Sequence, residues 1–114
     1  MIKIYHNPRC TKSRQGLKYL QEKGLDFEVV EYLKEGLKEE ELESILTKLN
    51  FSPMDLIRKN EAIWKSDFKA KVNLSDQQVI LAMVQHPKLM ERPIVINGDK
   101  AAVGRPTENI ESVF

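Results

Sequence analysis

The chain begins Met1-Ile2-Lys3-Ile4-Tyr5-His6-Asn7-Pro8-Arg9-Cys10-Thr11-Lys12-Ser13-Arg14, a stretch that joins a predicted strand to a predicted helix. Apolar and polar side chains alternate from Met1 to Tyr5, as in a strand with one buried face. Pro8 has no backbone N–H to donate to a sheet, which places the following loop outside the strand. A helix is predicted from Thr11 to Lys23, and Gly24 is suited to end it.

The next segments extend this beginning into a βαβ unit followed by a helical block. Phe27-Glu28-Val29-Val30-Glu31-Tyr32 predicts a second strand, parallel to the first because a helix joins the two. Residues 34–85 are predicted to be mostly helical. A short helix after Ser52-Pro53 is expected to end near Arg58-Lys59-Asn60, and a capping box at Ser75-Asp76-Gln77-Gln78 begins another helix. Trp64 and Phe68, four residues apart, are expected to pack on one face.

The C-terminal part of the chain predicts a hairpin and a closing helix. Pro93-Ile94-Val95-Ile96 is a short apolar strand, Asn97-Gly98 is typical of a hairpin turn, and Ala101-Ala102-Val103 is its partner. Pro106 to Phe114 is predicted to be helical. Together these elements predict an α/β fold, with a four-stranded mixed sheet and a helical insertion.

Length and composition limit the class of protein. A chain of 114 residues is long enough for one core, and 41% hydrophobic with 31% charged residues is typical of a globular domain. The 18 basic and 17 acidic side chains nearly cancel, so neither nucleic acid nor a membrane is an expected partner. There is no apolar run of membrane-spanning length and no signal-peptide pattern, which predicts a cytoplasmic protein.

Cys10, the single cysteine, falls at the predicted start of the first helix. The first helical turn has unpaired N–H groups and the positive end of the helix dipole, which stabilise a thiolate and suit an oxyanion. Arg9, Lys12 and Arg14 add positive charge nearby. We therefore expect Cys10 to be a nucleophilic thiolate facing an anion, with its pKa below the ordinary value, rather than an inert buried cysteine.

Cysteine count and spacing exclude several classes of thiol chemistry. With one cysteine, no internal disulfide is possible, so any redox cycle requires a thiol from another molecule. A cysteine-rich zinc site is excluded, and no metal is expected. Ser13 replaces the second cysteine of a Cys-x-x-Cys redoxin motif, which excludes dithiol exchange. Three residues separate Cys10 from Arg14, so the Cys-x5-Arg loop of the cysteine phosphatases is also missing.

Two arginines directly precede prolines, in Arg92-Pro93 and Arg105-Pro106. A residue before proline favours extended backbone, which suits a side chain projecting from a strand end. The planar guanidinium group binds tetrahedral oxyanions in a bidentate manner. Each arginine alone is compatible with a surface salt bridge, but together with the basic cysteine loop the pair suggests an oxyanion pocket.

His6 allows three interpretations: a structural residue at a strand end, a base for Cys10, or a charge that lowers the pKa of the thiol. No carboxylate lies nearby in the sequence to orient its ring, as a catalytic dyad would require. A supporting role is therefore expected.

Four segments form an ordered pattern: Tyr5-His6-Asn7-Pro8-Arg9-Cys10-Thr11-Lys12-Ser13-Arg14, Leu56-Ile57-Arg58-Lys59-Asn60, Glu91-Arg92-Pro93-Ile94-Val95 and Gly104-Arg105-Pro106. In this pattern the chain resembles the glutaredoxin-dependent arsenate reductases, the ArsC family, over essentially its whole length. The resemblance implies a thioredoxin-like fold with a helical insertion, in a single domain over residues 1–114.

The resemblance also implies a reaction that needs no bound cofactor. Cys10 would attack arsenate and displace hydroxide, glutathione would join the adduct as co-substrate, and glutaredoxin would resolve it, leaving As(III). The oxyanion would be bound by Arg58, Arg92 and Arg105. Supporting roles are expected for His6, Ser13 and Arg14. A cis Arg92–Pro93 peptide bond is implied as well.

Two alternatives to arsenate reduction remain open at the level of sequence. The chain is also compatible with an ArsC-like, glutathione-dependent thiol reductase, in which Cys10 forms a mixed disulfide and the arginines hold a glutathione carboxylate. It resembles more distantly the Spx-type regulators that bind RNA polymerase. Those regulators typically sense oxidation through Cys-x-x-Cys, which Ser13 interrupts here.

Overall fold

A computed structural model describes residues 2–68 and 74–114, so Met1 of the first predicted strand lies outside the described residues. Contacts within the chain divide it into two compact units, one formed by Met1–Glu35 with Arg92–Phe114 and the other by Gly36–Glu91. Among the helices of the described part, none is both long and apolar enough to cross a membrane. A single domain stays a prediction.

The first unit contains a four-stranded mixed sheet, with the strand order β2-β1-β3-β4. The strands are β1 (Ile2–Tyr5), β2 (Phe27–Val30), β3 (Ile94–Asn97) and β4 (Lys100–Val103). Strands β1 and β2 are parallel, whereas β1 with β3 and β3 with β4 are antiparallel. The predicted α/β class with a mixed four-stranded sheet is therefore confirmed.

Apolar residues on one face of the sheet form the core of this unit. Helix α1 (Thr11–Glu22) packs on it and ends one residue earlier than predicted, with Gly24 at φ +71° directly after its cap. A 3-10 helix, Thr107–Val113, replaces the predicted C-terminal helix. The buried cluster consists of Ile2, Ile4, Leu20, Val95, Ala102, Ile110 and Val113.

Two predicted boundaries in this unit were wrong, one at the end of the second strand and one at the hairpin turn. The second strand stops at Val30, and the fully buried Tyr32 begins a short helix, α2 (Tyr32–Glu35). The hairpin turn is formed by residues 98 and 99 rather than 97 and 98. Asn97 stays in β3 opposite Lys100, and its side-chain amide donates to the Val113 carbonyl at 2.8 Å.

The described part of the second unit is mostly helical, as predicted, and residues 69–73 of the predicted stretch lie outside the described residues. Its main elements are α3 (Glu39–Leu49) and α4 (Asp76–Gln85), and the Ser75–Gln78 capping box is confirmed by hydrogen bonds in both directions. The Trp64 and Phe68 rings stack with their centroids 5.6 Å apart, which confirms their predicted contact.

The helix predicted after Ser52 is shorter than expected. It is a 3-10 helix, Pro53–Leu56, and Ile57 instead forms an antiparallel bridge with Met90. Because both partners of this bridge are buried, the extended backbone at Ile57 replaces the last predicted turn. As a result Arg58 follows an extended residue and lies beside Leu89, not at a helix end.

Candidate active site

The loop between β1 and α1 places Cys10 at the N-cap of a 12-residue helix, as the sequence predicts. The Asn7 carbonyl accepts from the Cys10 N–H at 3.0 Å, and the Asn7 side-chain oxygen accepts from the Arg9 N–H at 3.0 Å. The Arg14 N–H then donates to the Cys10 carbonyl, which starts the helix. These bonds hold a partly exposed thiol beside the free N–H groups of the first turn.

The surroundings of Cys10 lower the pKa of its thiol below the ordinary value. Burial acts in the opposite direction and raises it, but three donors outweigh burial: the backbone N–H of Ser13, the guanidinium of Arg92 and the backbone N–H of Lys12. Arg92 acts both through a hydrogen bond to the sulfur and through its charge. A thiolate held in this way is a competent nucleophile.

The source of positive charge differs from the one that the sequence suggested. The charge that lowers the pKa of Cys10 comes from Arg92, which is distant in the chain, and not from the basic residues that neighbour Cys10 in the loop. Arg14 is exposed and donates to the Pro8 carbonyl at 2.9 Å and to the Thr11 hydroxyl at 3.1 Å. Arg14 therefore links Pro8 to Thr11 within the loop, and its supporting role stays a prediction.

His6 and Ser13 form a buried contact directly behind the cysteine loop. The His6 Nδ1 lies 2.6 Å from the Ser13 Oγ, and the Asn7 N–H donates to the same hydroxyl oxygen at 2.9 Å. Burial lowers the pKa of His6, and the opposing effect of Glu31 does not restore it. A neutral, buried imidazole favours the interpretation in which His6 orients the loop, and its part in catalysis stays a prediction.

Ser13→Ala is expected to lower the free energy of unfolding by about 1–3 kcal/mol, because it leaves the Asn7 N–H and the His6 ring nitrogen without their shared partner in a buried position. Denaturant unfolding measures this change. The matched control is Ser112→Ala, since that hydroxyl is exposed and donates only to the Asn109 carbonyl. Equal losses of stability in the two variants would contradict the proposed importance of the buried contact.

The sheet brings Arg92 and Arg105 to the edge at which the cysteine loop begins. Tyr5 pairs with Ile94, and Ile94 pairs with Val103, so β1 ends, β3 begins and β4 ends at the same edge. Arg92, two residues before β3, is only 9% exposed. Arg105 follows β4 and is half-buried. Both arginines precede cis peptide bonds, and the resemblance implied only the one at Arg92–Pro93.

Arg58 lies in the second unit, next to the bridge between Ile57 and Met90. Its backbone N–H donates to the Leu89 carbonyl at 2.7 Å, and its Nε lies 3.9 Å from a carboxylate oxygen of Glu91. Its Nη1 is buried and has no hydrogen-bond partner among the described residues. The ion pair with Glu91 was not predictable from the sequence, because two residues so far apart in the chain leave no local pattern.

The first unit thus brings together a low-pKa thiol, helix N–H groups and two arginines. This combination can bind an anion and attack an electrophile held in it. Within residues 2–68 and 74–114, no group of three or more His, Cys, Asp and Glu side chains is arranged to hold a metal ion. That Arg58 acts together with Arg92 and Arg105 stays a prediction.

Comparison with known proteins places this chain in a family. The ArsC family model matches residues 5–113. The chain is 45% identical over 114 residues to an arsenate reductase of Neisseria meningitidis serogroup A, covering 99% of this chain and 97% of that protein. It is 46% identical over 110 residues to the uncharacterized protein YfgD of Escherichia coli, covering 96% of this chain and 92% of that one.

A solved structure, the arsenate reductase from Vibrio cholerae, superposes with a TM-score of 0.95 at 36% identity. The match covers 99% of this chain and 97% of that one, and it agrees with the thioredoxin-like fold implied by the sequence. A family match and a fold match therefore extend over nearly the same residues. The chain belongs to the ArsC family.

Proposed function

We propose that this protein is an oxidoreductase that reduces arsenate to arsenite, with Cys10 as its single nucleophile. The observation that carries the proposal is the Cys10 thiol, whose pKa is lowered by helix N–H groups and by the Arg92 guanidinium. Relatives named as arsenate reductases match over nearly the whole chain and support the choice of substrate. We place the reaction in the cytoplasm, where reducing conditions keep a lone cysteine as a thiol.

In the first step the Cys10 sulfur attacks the arsenic atom. A sulfur–arsenic bond forms while one arsenic–oxygen bond breaks, and the departing oxygen takes up protons and leaves as water. Arsenic remains As(V) in the resulting adduct. Arg92 and Arg105 at the sheet edge, together with Arg58, are proposed to bind the remaining oxygens, because bidentate guanidinium groups match their geometry.

The reduction itself requires two thiols from outside the protein, since no second cysteine exists. Glutathione is proposed to join the arsenic through its sulfur and to displace a second oxygen as water. A glutaredoxin thiolate then attacks the glutathione sulfur, and the sulfur–arsenic electron pair passes to arsenic, which becomes As(III). The glutathione leaves in a mixed disulfide with glutaredoxin. Water finally releases arsenite and restores Cys10.

Electrostatics explain why the attack needs these particular residues. A thiolate and an arsenate anion repel each other, and that repulsion must be offset before sulfur and arsenic approach. The Arg92 guanidinium is hydrogen-bonded to the sulfur, and preorganised helix N–H groups lie beside it. Together they stabilise both the thiolate and the charge that develops on the arsenate oxygens.

The direct test is arsenate-dependent oxidation of NADPH, coupled through glutathione reductase, with glutathione and glutaredoxin present. We expect a rate that disappears when arsenate, glutathione or glutaredoxin is left out. Phosphate in place of arsenate is the matched substrate control, because it has the same geometry and charge but is not reduced by thiols. No arsenate-dependent rate with a folded protein would overturn the proposal.

Arsenate and phosphate are also expected to slow the alkylation of Cys10 by iodoacetamide, because either anion would occupy the site in front of the sulfur. The measurement is the alkylation rate against anion concentration at constant ionic strength, with chloride as control. Protection by glutathione disulfide but not by either oxyanion would instead favour the thiol-reductase alternative.

A further inference from the structure

The ring of Pro93 lies against two glycines of the first unit, at positions where any side chain would collide with it. A Cβ atom built on Gly16 would lie 2.7 Å from the Pro93 Cγ, and one built on Gly104 would lie 2.9 Å from the same atom. These separations are shorter than real carbon contacts. A proline ring also cannot turn aside as a long, flexible side chain does. A side chain at either position therefore forces the Pro93 ring or the backbone beside it to shift.

Neither glycine is needed for its backbone conformation. The positive-φ glycines of the described chain are Gly24, Gly36 and Gly98. Gly16 is in the interior of α1, where glycine costs about 0.5–1 kcal/mol relative to alanine. The missing side chain at Gly16 allows the helix and Pro93 to approach each other closely.

Pro93, Gly104 and Gly16 are each connected along the chain to a part of the candidate active site. Pro93 follows Arg92 in the chain, and Gly104 precedes Arg105. The Gly104 N–H also donates to the Pro93 carbonyl at 2.8 Å. Gly16 belongs to the helix whose N-cap is Cys10. The contact thus connects the backbone of both arginines to the helix that carries the thiol.

We propose that Gly16 and Gly104 are positioning residues, whose contact with Pro93 sets the separation between the Arg92 guanidinium and the Cys10 sulfur. The inference rests on the proposed role of Cys10 as the nucleophile. A methyl group at either glycine forces Pro93 away, and Arg92 moves with it because the two share a peptide bond. Since a hydrogen bond weakens steeply with distance and angle, the thiolate then loses its charged donor.

The test is the pKa of Cys10 in Gly16→Ala, measured from the pH dependence of its alkylation by iodoacetamide without arsenate or glutathione. We expect the pKa to rise, so that alkylation below the wild-type pKa becomes about tenfold slower, as loss of one charged hydrogen bond predicts. The matched control is Val113→Ala, which removes volume from the buried cluster that contains Ile110 but adds no atom beside Pro93. That control is expected to lower stability but to leave the pKa of Cys10 unchanged.

Two results would overturn the inference: an unchanged pKa in folded Gly16→Ala, or an equal rise in Val113→Ala, which would indicate general loosening of the core. If Gly16→Ala does not fold, Gly104→Ala tests the same contact with Pro93 at the second glycine. The nearest other atom there is the flexible end of Ile110, at 3.2 Å. Because the measurement uses no arsenate, failure of wild-type arsenate turnover would overturn the proposed function and not this inference.

Discussion

Cys10→Ser is expected to abolish arsenate-dependent turnover. The serine hydroxyl is not ionised at neutral pH, so the donors that stabilise a thiolate at this position have no anion to act on. The chain has no other cysteine that could take over the attack. The coupled NADPH assay measures this loss, and the expected rate equals that of the mixture without enzyme.

The serine variant is also expected to keep its fold, because Cys10 is only partly buried and caps the helix through its backbone. Thermal unfolding and circular dichroism check this. Ser112→Cys is a matched control, since it places a cysteine at an exposed position far along the chain, and in the Cys10→Ser background it should not restore turnover. Arsenate turnover that survives in folded Cys10→Ser would show that another group is the nucleophile.

Arg92→Ala is expected to reduce kcat/KM for arsenate by about a hundredfold to a thousandfold, the usual cost of removing one preorganised donor from a transition state. It is also expected to raise the pKa of Cys10, because the hydrogen bond and the charge of Arg92 both lower that pKa in the wild type. The pH profile of alkylation should therefore move to higher pH. The two measurements together separate thiolate stabilisation from oxyanion binding.

Arg105→Ala and Arg58→Ala provide the comparison for this variant. Arg92 is the arginine whose hydrogen bond and charge lower the pKa of Cys10. Both variants are therefore expected to impair turnover while leaving the alkylation profile where it is. Arg92→Lys is expected to be intermediate, since it keeps a charge but loses the planar fork. Normal turnover in a folded Arg92→Ala variant would count against the proposed mechanism.

Elements whose signal is contained in a few neighbouring residues were predictable from the sequence. The position of Cys10 at the start of α1 follows from a strand, a proline loop and a helical pattern that are adjacent in the chain. The Ser75–Gln78 capping box and the left-handed Gly24 are similar cases. Each depends on hydrogen bonds to the backbone or on backbone sterics within one turn, and such local effects are visible in the order of residues.

Features that depend on residues distant in the chain were missed or misassigned. Local charge pointed to the basic neighbours of Cys10, but the charge that acts on its thiol is that of Arg92. The hairpin turn moved by one residue because the Asn97 side chain bonds to the carbonyl of Val113. Arg58 was expected at a helix end and instead lies beside a bridge between distant segments.

Gly16 shows most clearly which features could not be predicted from the sequence. In the sequence it is an ordinary glycine within a helical pattern, slightly unfavourable for the helix that contains it. Its proposed positioning role depends on the ring of Pro93, which lies against α1. The local pattern of the chain was thus enough to predict a reactive cysteine at a helix start. The identity of the guanidinium beside its sulfur, and the glycines that make room for Pro93, follow from packing between segments distant in the chain.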